Sequence, residues 1–184
     1  MADSRKVVKV FLASPGDLPD ERRAAKSVAD EFNALYAEEF GYQVELVGWE
    51  DTVSVYGRPQ ATINRELERC DLFVGLMWKK WGTPPDVSGP YSSGFEEEYE
   101  TSVHRRLSVG RPEISLLFKE IDPEFLRDPG PDLEKVLAFK NKLIAEKKIL
   151  FESFSDIGEL EKKIHRCISK YVIGLSRLLK NPKK

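Results

Sequence analysis

Lys6-Val-Val-Lys-Val-Phe-Leu-Ala-Ser-Pro-Gly-Asp17 is the stretch from which the rest of the chain can be read. Residues 6–13 are rich in β-branched side chains and almost continuously apolar, which marks a strand covered on both faces. Ser14-Pro15-Gly16 breaks that strand. Asp17 reads as the N-cap of a helix, and Asp20 and Glu21 put acid in its first turn, where the helix dipole favours negative charge. Leu18, Ala25, Val28, Ala29, Phe32, Leu35 and Phe40 then recur at steps of three and four, the pattern of a long amphipathic helix closing near Gly41.

The same alternation continues outward. Residues 42–49 alternate as a second strand, 50–59 form a polar loop, and 60–69 a short helix with Ile63 and Leu67 turned inward. Residues 71–77 are apolar on both faces and form a third strand, and the long loop 78–92 holds Gly82, Pro84, Pro85, Gly89 and Pro90. Ser93 opens a helix running to about 108, and 113–118 is a fourth strand. Residues 120–131 are a Pro/Asp-rich connection, 133–146 a helix, 148–151 a short fifth strand and 156–179 a final long helix. Strands alternating with helices predict right-handed crossovers and a mainly parallel five-stranded sheet with helices on both faces. The expected fold is a three-layer, flavodoxin-like α/β domain of order 2-1-3-4-5. The domain is expected over 1–174, with 175–184 as a helix end and polar tail that could lead into a further domain.

Composition narrows the function. Among 184 residues, 29 Lys and Arg against 31 Asp and Glu give a net charge of −2. Nucleic-acid binding, which needs an excess of cations on one face, is therefore not expected. No apolar run approaches the ~20 residues of a membrane span, and the run at 7–13 is too short for the core of a signal peptide. The two cysteines, Cys70 and Cys167, offer neither a disulfide framework nor a CxxC pattern, so the expectation is a reduced, cytoplasmic protein without a metal site. His104 and His165 fall within helices at no metal-ligand spacing.

In such a sheet a ligand sits beyond the carboxyl ends of the strands, where the strand order reverses. Ser14, Gly16 and Asp17 lie at one of these ends as a small turn before a helix N-terminus, a place suited to an anion; the plain alternative is an ordinary strand-to-helix turn. Ser93-x-x-Glu96 is a capping box, and Glu96, Glu97, Glu98 and Glu100 crowd carboxylates onto one helix start. A wheel through Phe95, Tyr99, Val103 and Leu107 puts Glu96 within the core arc and Glu98 at its edge, so periodicity alone leaves the choice between them open. Trp49, Trp78 and Trp81 stand near strand ends, where aromatic side chains either stack on a flat base or simply pack; packing is favoured for Trp78. Arg22-Arg23 and Lys79-Lys80 could attract phosphates, but short charge pairs are usually solvated surface, and that reading is favoured here.

Val10-Phe-Leu-Ala-Ser-Pro-Gly-Asp-Leu-Pro-Asp-Glu-Arg22 resembles the opening of a TIR-like family of unknown function. The match continues through Cys70-Asp-Leu-Phe-Val-Gly-Leu76, Trp81-Gly82-Thr83, Ser93-Gly94, Glu98-Tyr99-Glu100, Leu133-Glu-Lys-Val and Phe139-Lys140 to a Leu160-Glu helix. The family stands N-terminal to NACHT and related STAND ATPases, including those of anti-phage systems, and is similar in fold to TIR domains and nucleoside 2-deoxyribosyltransferases. In those relatives a Glu at the corresponding helix start acts at C1′ of a ribose. The transferase motif Gly-Thr-x-x-Glu corresponds to Gly94-Phe95-Glu96-Glu97-Glu98, with Phe95 in place of Thr. The resemblance implies a nucleotide-binding domain cleaving the N-glycosidic bond of NAD or a related nucleotide, with Glu98 as nucleophile or electrostatic stabiliser. Ser14, Gly16 and Asp17 would hold ribose or phosphate, and Trp49, Asp51 and Trp81 would shape the base pocket. NAD would be substrate, with no separate cofactor. It also implies self-association or an adjoining ATPase or sensor domain, and the alternatives of a non-catalytic interaction module or a deoxyribosyltransferase.

Overall fold

The computed structural model describes residues 5–48 and 59–180. The elements run β1 (Lys6–Ala13), α1 (Pro19–Phe40), β2 (Tyr42–Val47), α2 (Pro59–Leu67), β3 (Leu72–Met77), α3 (Gly94–Val109), β4 (Glu113–Lys119), α4 (Pro123–Arg127), α5 (Pro131–Glu146), β5 (Phe151–Phe154) and α6 (Ile157–Lys180). The strands form one five-stranded sheet in the order β2-β1-β3-β4-β5. Every pairing is parallel. This is the expected three-layer α/β arrangement, with β1 an interior strand and β3 at the centre.

Alternation along a strand sends successive side chains to opposite faces, and here each face has its own core. Val8, Val10 and Leu12 of β1 join Leu72, Val74 and Leu76 of β3 beneath α1 and α6, where Phe32, Ile164, Ile168 and Val172 are buried. Phe11 and Ala13, with Phe73 and Met77, face α2, α3 and α5 through Leu67, Phe95, Tyr99, Val136 and Phe139. The pairing Val10↔Leu72 to Ala13↔Gly75 sets the heights at which β1 and β3 end. A slip of one residue would turn both apolar sets over, so the register is tightly specified.

Several local expectations are corrected. Asp17 does not cap α1: Leu18 holds the N-cap place without a side-chain cap bond, and Asp17 is used elsewhere. Leu35 is exposed and Phe40 only half-buried, so the buried stripe of α1 is Ala24, Ala25, Val28, Ala29, Phe32 and Ala37. The fifth strand begins at Phe151, where pairing of Phe151 with Leu116 and Phe154 with Lys119 aligns it on β4. Residues 148–150 stay outside it, and Leu150 is exposed. The connection 120–131 contains the short helix α4, started by the Asp122 side chain accepting from the Glu124 amide. On α3 the core stripe stops early, since Leu107 is exposed. Among the described residues no helix is long and apolar enough to cross a membrane.

Candidate functional site

At the carboxyl ends of β1 and β3, beside the start of α3, lies an open cavity of about 280 Å³. Ser14, Pro15 and Gly16 line it from the turn after β1, Trp81 to Pro85 from the loop after β3, Gly94, Phe95 and Glu98 from α3, and Ile63 from α2. Four residues expected at a site therefore share one cavity: Ser14, Gly16, Trp81 and Glu98. Trp49 and Asp51 lie outside the described residues.

The three neighbouring glutamates of α3 have separate surroundings. Glu96 accepts, through Oε2, from the Ser92 amide and the Ser92 hydroxyl, each at 2.7 Å. Glu97 accepts from the Asn64 side chain of α2 at 2.8 Å. Glu98 is the one that lines the cavity, and it is 8% exposed. The wheel put Glu96 within the core arc and Glu98 at its edge; in the structure Glu96 is only half-buried and Glu98 is buried. The helix is capped as expected on one side, with the Glu96 amide donating to Ser93 Oγ at 3.1 Å. The reciprocal arm goes to Ser92 instead of Ser93.

That change of partner positions an aromatic wall. The Trp81 indole N–H donates to Ser92 Oγ at 2.8 Å, so Glu96, Ser92 and Trp81 form a chain of hydrogen bonds. Trp81 is buried against Phe95 and Phe139, with ring centroids at 6.3 and 5.4 Å. Its backbone amide donates to Asp132 at 3.3 Å. Gly82 turns the loop at φ +95, a left-handed conformation that a side chain would strain. The Gly94 amide then donates to the Thr83 carbonyl at 3.0 Å, closing the loop onto α3.

Asp17 serves as a tether. Its Oδ2 accepts from the amides of Lys79 and Lys80, at 3.0 and 2.9 Å, and so joins the turn after β1 to the turn after β3. It does not line the cavity. Trp78 packs, as expected: its ring lies 3.9 Å from Lys79 Nζ and 4.4 Å from Lys119 Nζ, and Lys119 also meets the buried Glu21 carboxylate at 2.6 Å.

Residues 9–169 match the family described as "Domain of unknown function (DUF4062)". The chain belongs to the DUF4062 family. No curated protein matches it. Among solved structures, the TIR domains of the activated Roq1 resistosome, which directly recognises the pathogen effector XopQ, are 14% identical at a TM-score of 0.43, over 96% of this chain and 99% of that one. The general stress protein 14 of Treponema denticola, in complex with FMN, is 12% identical at a TM-score of 0.36, over 93% of this chain and 99% of that one. At these scores neither likeness carries an argument about chemistry.

Sequence reasoning missed one residue beside the DUF4062 cavity. Arg22, read as solvated, is 7% exposed, and its Nη1 donates to the Ser14 carbonyl at 3.2 Å and to Ser14 Oγ at 2.9 Å. The available signal was its place one turn into a helix directly after Ser-Pro-Gly-Asp, on the same face as the buried Leu18 and Ala25. Phe95, which replaces the Thr of the transferase motif, is buried in the aromatic cluster and forms part of the cavity wall.

Proposed function

We propose that this domain binds the nicotinamide-ribose part of NAD and cleaves its N-glycosidic bond. The observation that carries the reading is the placement of the Glu98 side chain, 8% exposed, on the cavity that Ser14 and Trp81 also line. At about 280 Å³ the cavity lies near the lower end of the usual range for small-molecule sites, roughly 300–1,000 Å³, and suits one nucleoside more than a whole dinucleotide. Breaking the C1′–N bond sends its electron pair to the nicotinamide nitrogen and leaves an oxocarbenium-like ribose; water adds at C1′ and loses a proton. A carboxylate beside C1′ stabilises the developing positive charge. Trp81 offers an aromatic wall for the base, and Ser14 with the backbone at Gly16 offers polar contacts to the sugar. The family resemblance further supports a place in a longer defence or signalling protein, next to an ATPase or sensor domain or in a self-associated form.

The test is incubation with NAD, NADP and deoxynucleosides, measuring free base. The expected result is nicotinamide release that falls roughly 10²–10³-fold in Glu98→Gln, since the amide keeps the shape and removes the charge. Glu97→Gln is the control, because an amide oxygen still accepts from Asn64 and the residue does not line the cavity. Equal losses in both variants would replace a specific catalyst with general electrostatics. Loss on Glu96→Gln alone would move the role to Glu96. No base release by the wild type, alone or fused to a polymerising partner domain, would favour the interaction module.

A further inference from the structure

We infer that Arg22 is a positioning residue that fixes the Ser14 hydroxyl as a hydrogen-bond donor to an oxygen of the bound ribose or its phosphate, an inference that rests on the nucleotide reading above. A guanidinium has donors only. In its 2.9 Å contact with Arg22, Ser14 Oγ is therefore the acceptor, and its single hydrogen is left to donate. Among the described residues the Ser14 side chain makes no other hydrogen bond. Ser14 lines the cavity, so a ligand oxygen there is placed to receive that hydrogen.

The clamp is built to hold one geometry. The same Nη1 bonds the Ser14 carbonyl at 3.2 Å, so main chain and side chain of Ser14 are fixed together. The guanidinium is itself enclosed: a Cβ at Gly48, just past β2, would stand 3.8 Å from Arg22 Nη2 and 3.1 Å from the Leu12 carbonyl oxygen. The tight approach is to the Leu12 carbonyl, so the missing side chain at Gly48 lets the end of β2 lie close against β1, beside the arginine. Lysine in place of Arg22 would keep the charge, but its ammonium is a compact point charge on a flexible stem, without the fixed planar geometry that aims Nη1 at both Ser14 oxygens.

The test is titration calorimetry with nicotinamide mononucleotide and nicotinamide riboside, in a Glu98→Gln chain so that cleavage does not interfere. Ser14→Ala is expected to weaken binding about tenfold, the value of one hydrogen bond to a polar ligand atom. Arg22→Lys should weaken it by about the same factor, and the double variant no further, because both changes remove one contact. Losses on both ligands assign the acceptor to the ribose; a loss confined to the mononucleotide assigns it to the phosphate. If Arg22→Lys does not fold, Arg22→Met, which keeps length without a donor, carries the comparison. Binding unchanged in the arginine variant, or a double variant about a hundredfold weaker, would overturn the inference and make Arg22 a structural brace that acts independently of Ser14. Binding of neither ligand would overturn both the inference and the nucleotide reading. Coupled losses without any NAD cleavage by the wild type would overturn the glycosidase reading alone.

Discussion

Gly75→Ala is a small change whose effect is set by three measured approaches. Gly75 lies in β3, the central strand, paired with Ala13 on one side and Leu116 on the other. A Cβ there would stand 2.7 Å from Leu116 Cδ2, and 3.2 Å from both Phe73 Cε1 and Phe95 Cε2. Ordinary contact begins near 3.4 Å, so the leucine methyl must retreat by ~0.7 Å and the two rings by ~0.2 Å. None has free space to take up, since Leu116, Phe73 and Phe95 are 1%, 0% and 4% exposed. Overpacking of this kind costs about 1–3 kcal/mol. Replacing glycine restricts the unfolded chain and returns about 0.4–1 kcal/mol. The net expectation is a loss of about 1–2 kcal/mol, or roughly 2–8 °C in Tm for a domain of this size. Urea denaturation should show a lower midpoint with an unchanged slope. The companion variant Leu116→Ala is destabilising alone, but adding Gly75→Ala to it should cost much less than in the wild type, because the closest clash is gone. Unaltered or raised stability in Gly75→Ala, or strict additivity in the double variant, would refute the reasoning.

Two further outcomes are expected. Asp17→Ala should cost about 1–3 kcal/mol by leaving the Lys79 and Lys80 amides without their acceptor, and hydrogen exchange at those two amides should quicken more than elsewhere in the sheet. Burial pushes the Cys70 thiol up from its ordinary value near 9 to about 12. The folded state thus keeps a proton that the unfolded state releases, so stability is full below pH 9 and falls as pH rises toward 12, by up to about 1.4 kcal/mol per pH unit. Burial likewise raises the Tyr99 phenol and adds a loss of the same sign. Cys70→Ala should flatten this alkaline slope in denaturant titrations, and an unchanged slope would count against the assignment.

The layers were legible in the sequence because each strand carries a run that only a doubly covered sheet can bury, as in Val10-Phe-Leu-Ala13 and Leu72 to Met77. The position of β5 was not: Ile149-Leu-Phe151 is the more apolar triplet, yet pairing with β4 favours Phe151–Phe154, and Glu152 within it is held by Arg166 and Lys163 from α6. Such long-range partners leave no trace in local pattern. Ser14, Gly16, Trp81 and Glu98 could be brought together by the rule for strand ends and by family resemblance. The wheel could not decide the first turn of α3 because it assumes one apolar stripe, whereas Glu96, Glu97 and Glu98 meet a loop, α2 and a cavity in succession. Asp17 and Arg22 were misread for a related reason: each has the local marks of a cap or a surface charge, and each is claimed by a neighbour across a turn.

The tether from Asp17 to Lys79 and Lys80 also bears on how the cavity comes into being. β1 and β3 lie side by side, but the chain traverses α1, β2 and α2 between them. Closing so long a segment carries a loop entropy that must be met before the pairing contributes, so closure of this junction is expected to be slow in folding. The walls of the cavity hang from both sides of that junction and are absent until it closes. A molecule seated between Ser14 and Glu98 would therefore hold on to the native state only, and in a stopped-flow experiment it would lengthen the lifetime of the folded domain while leaving its refolding rate nearly unaltered.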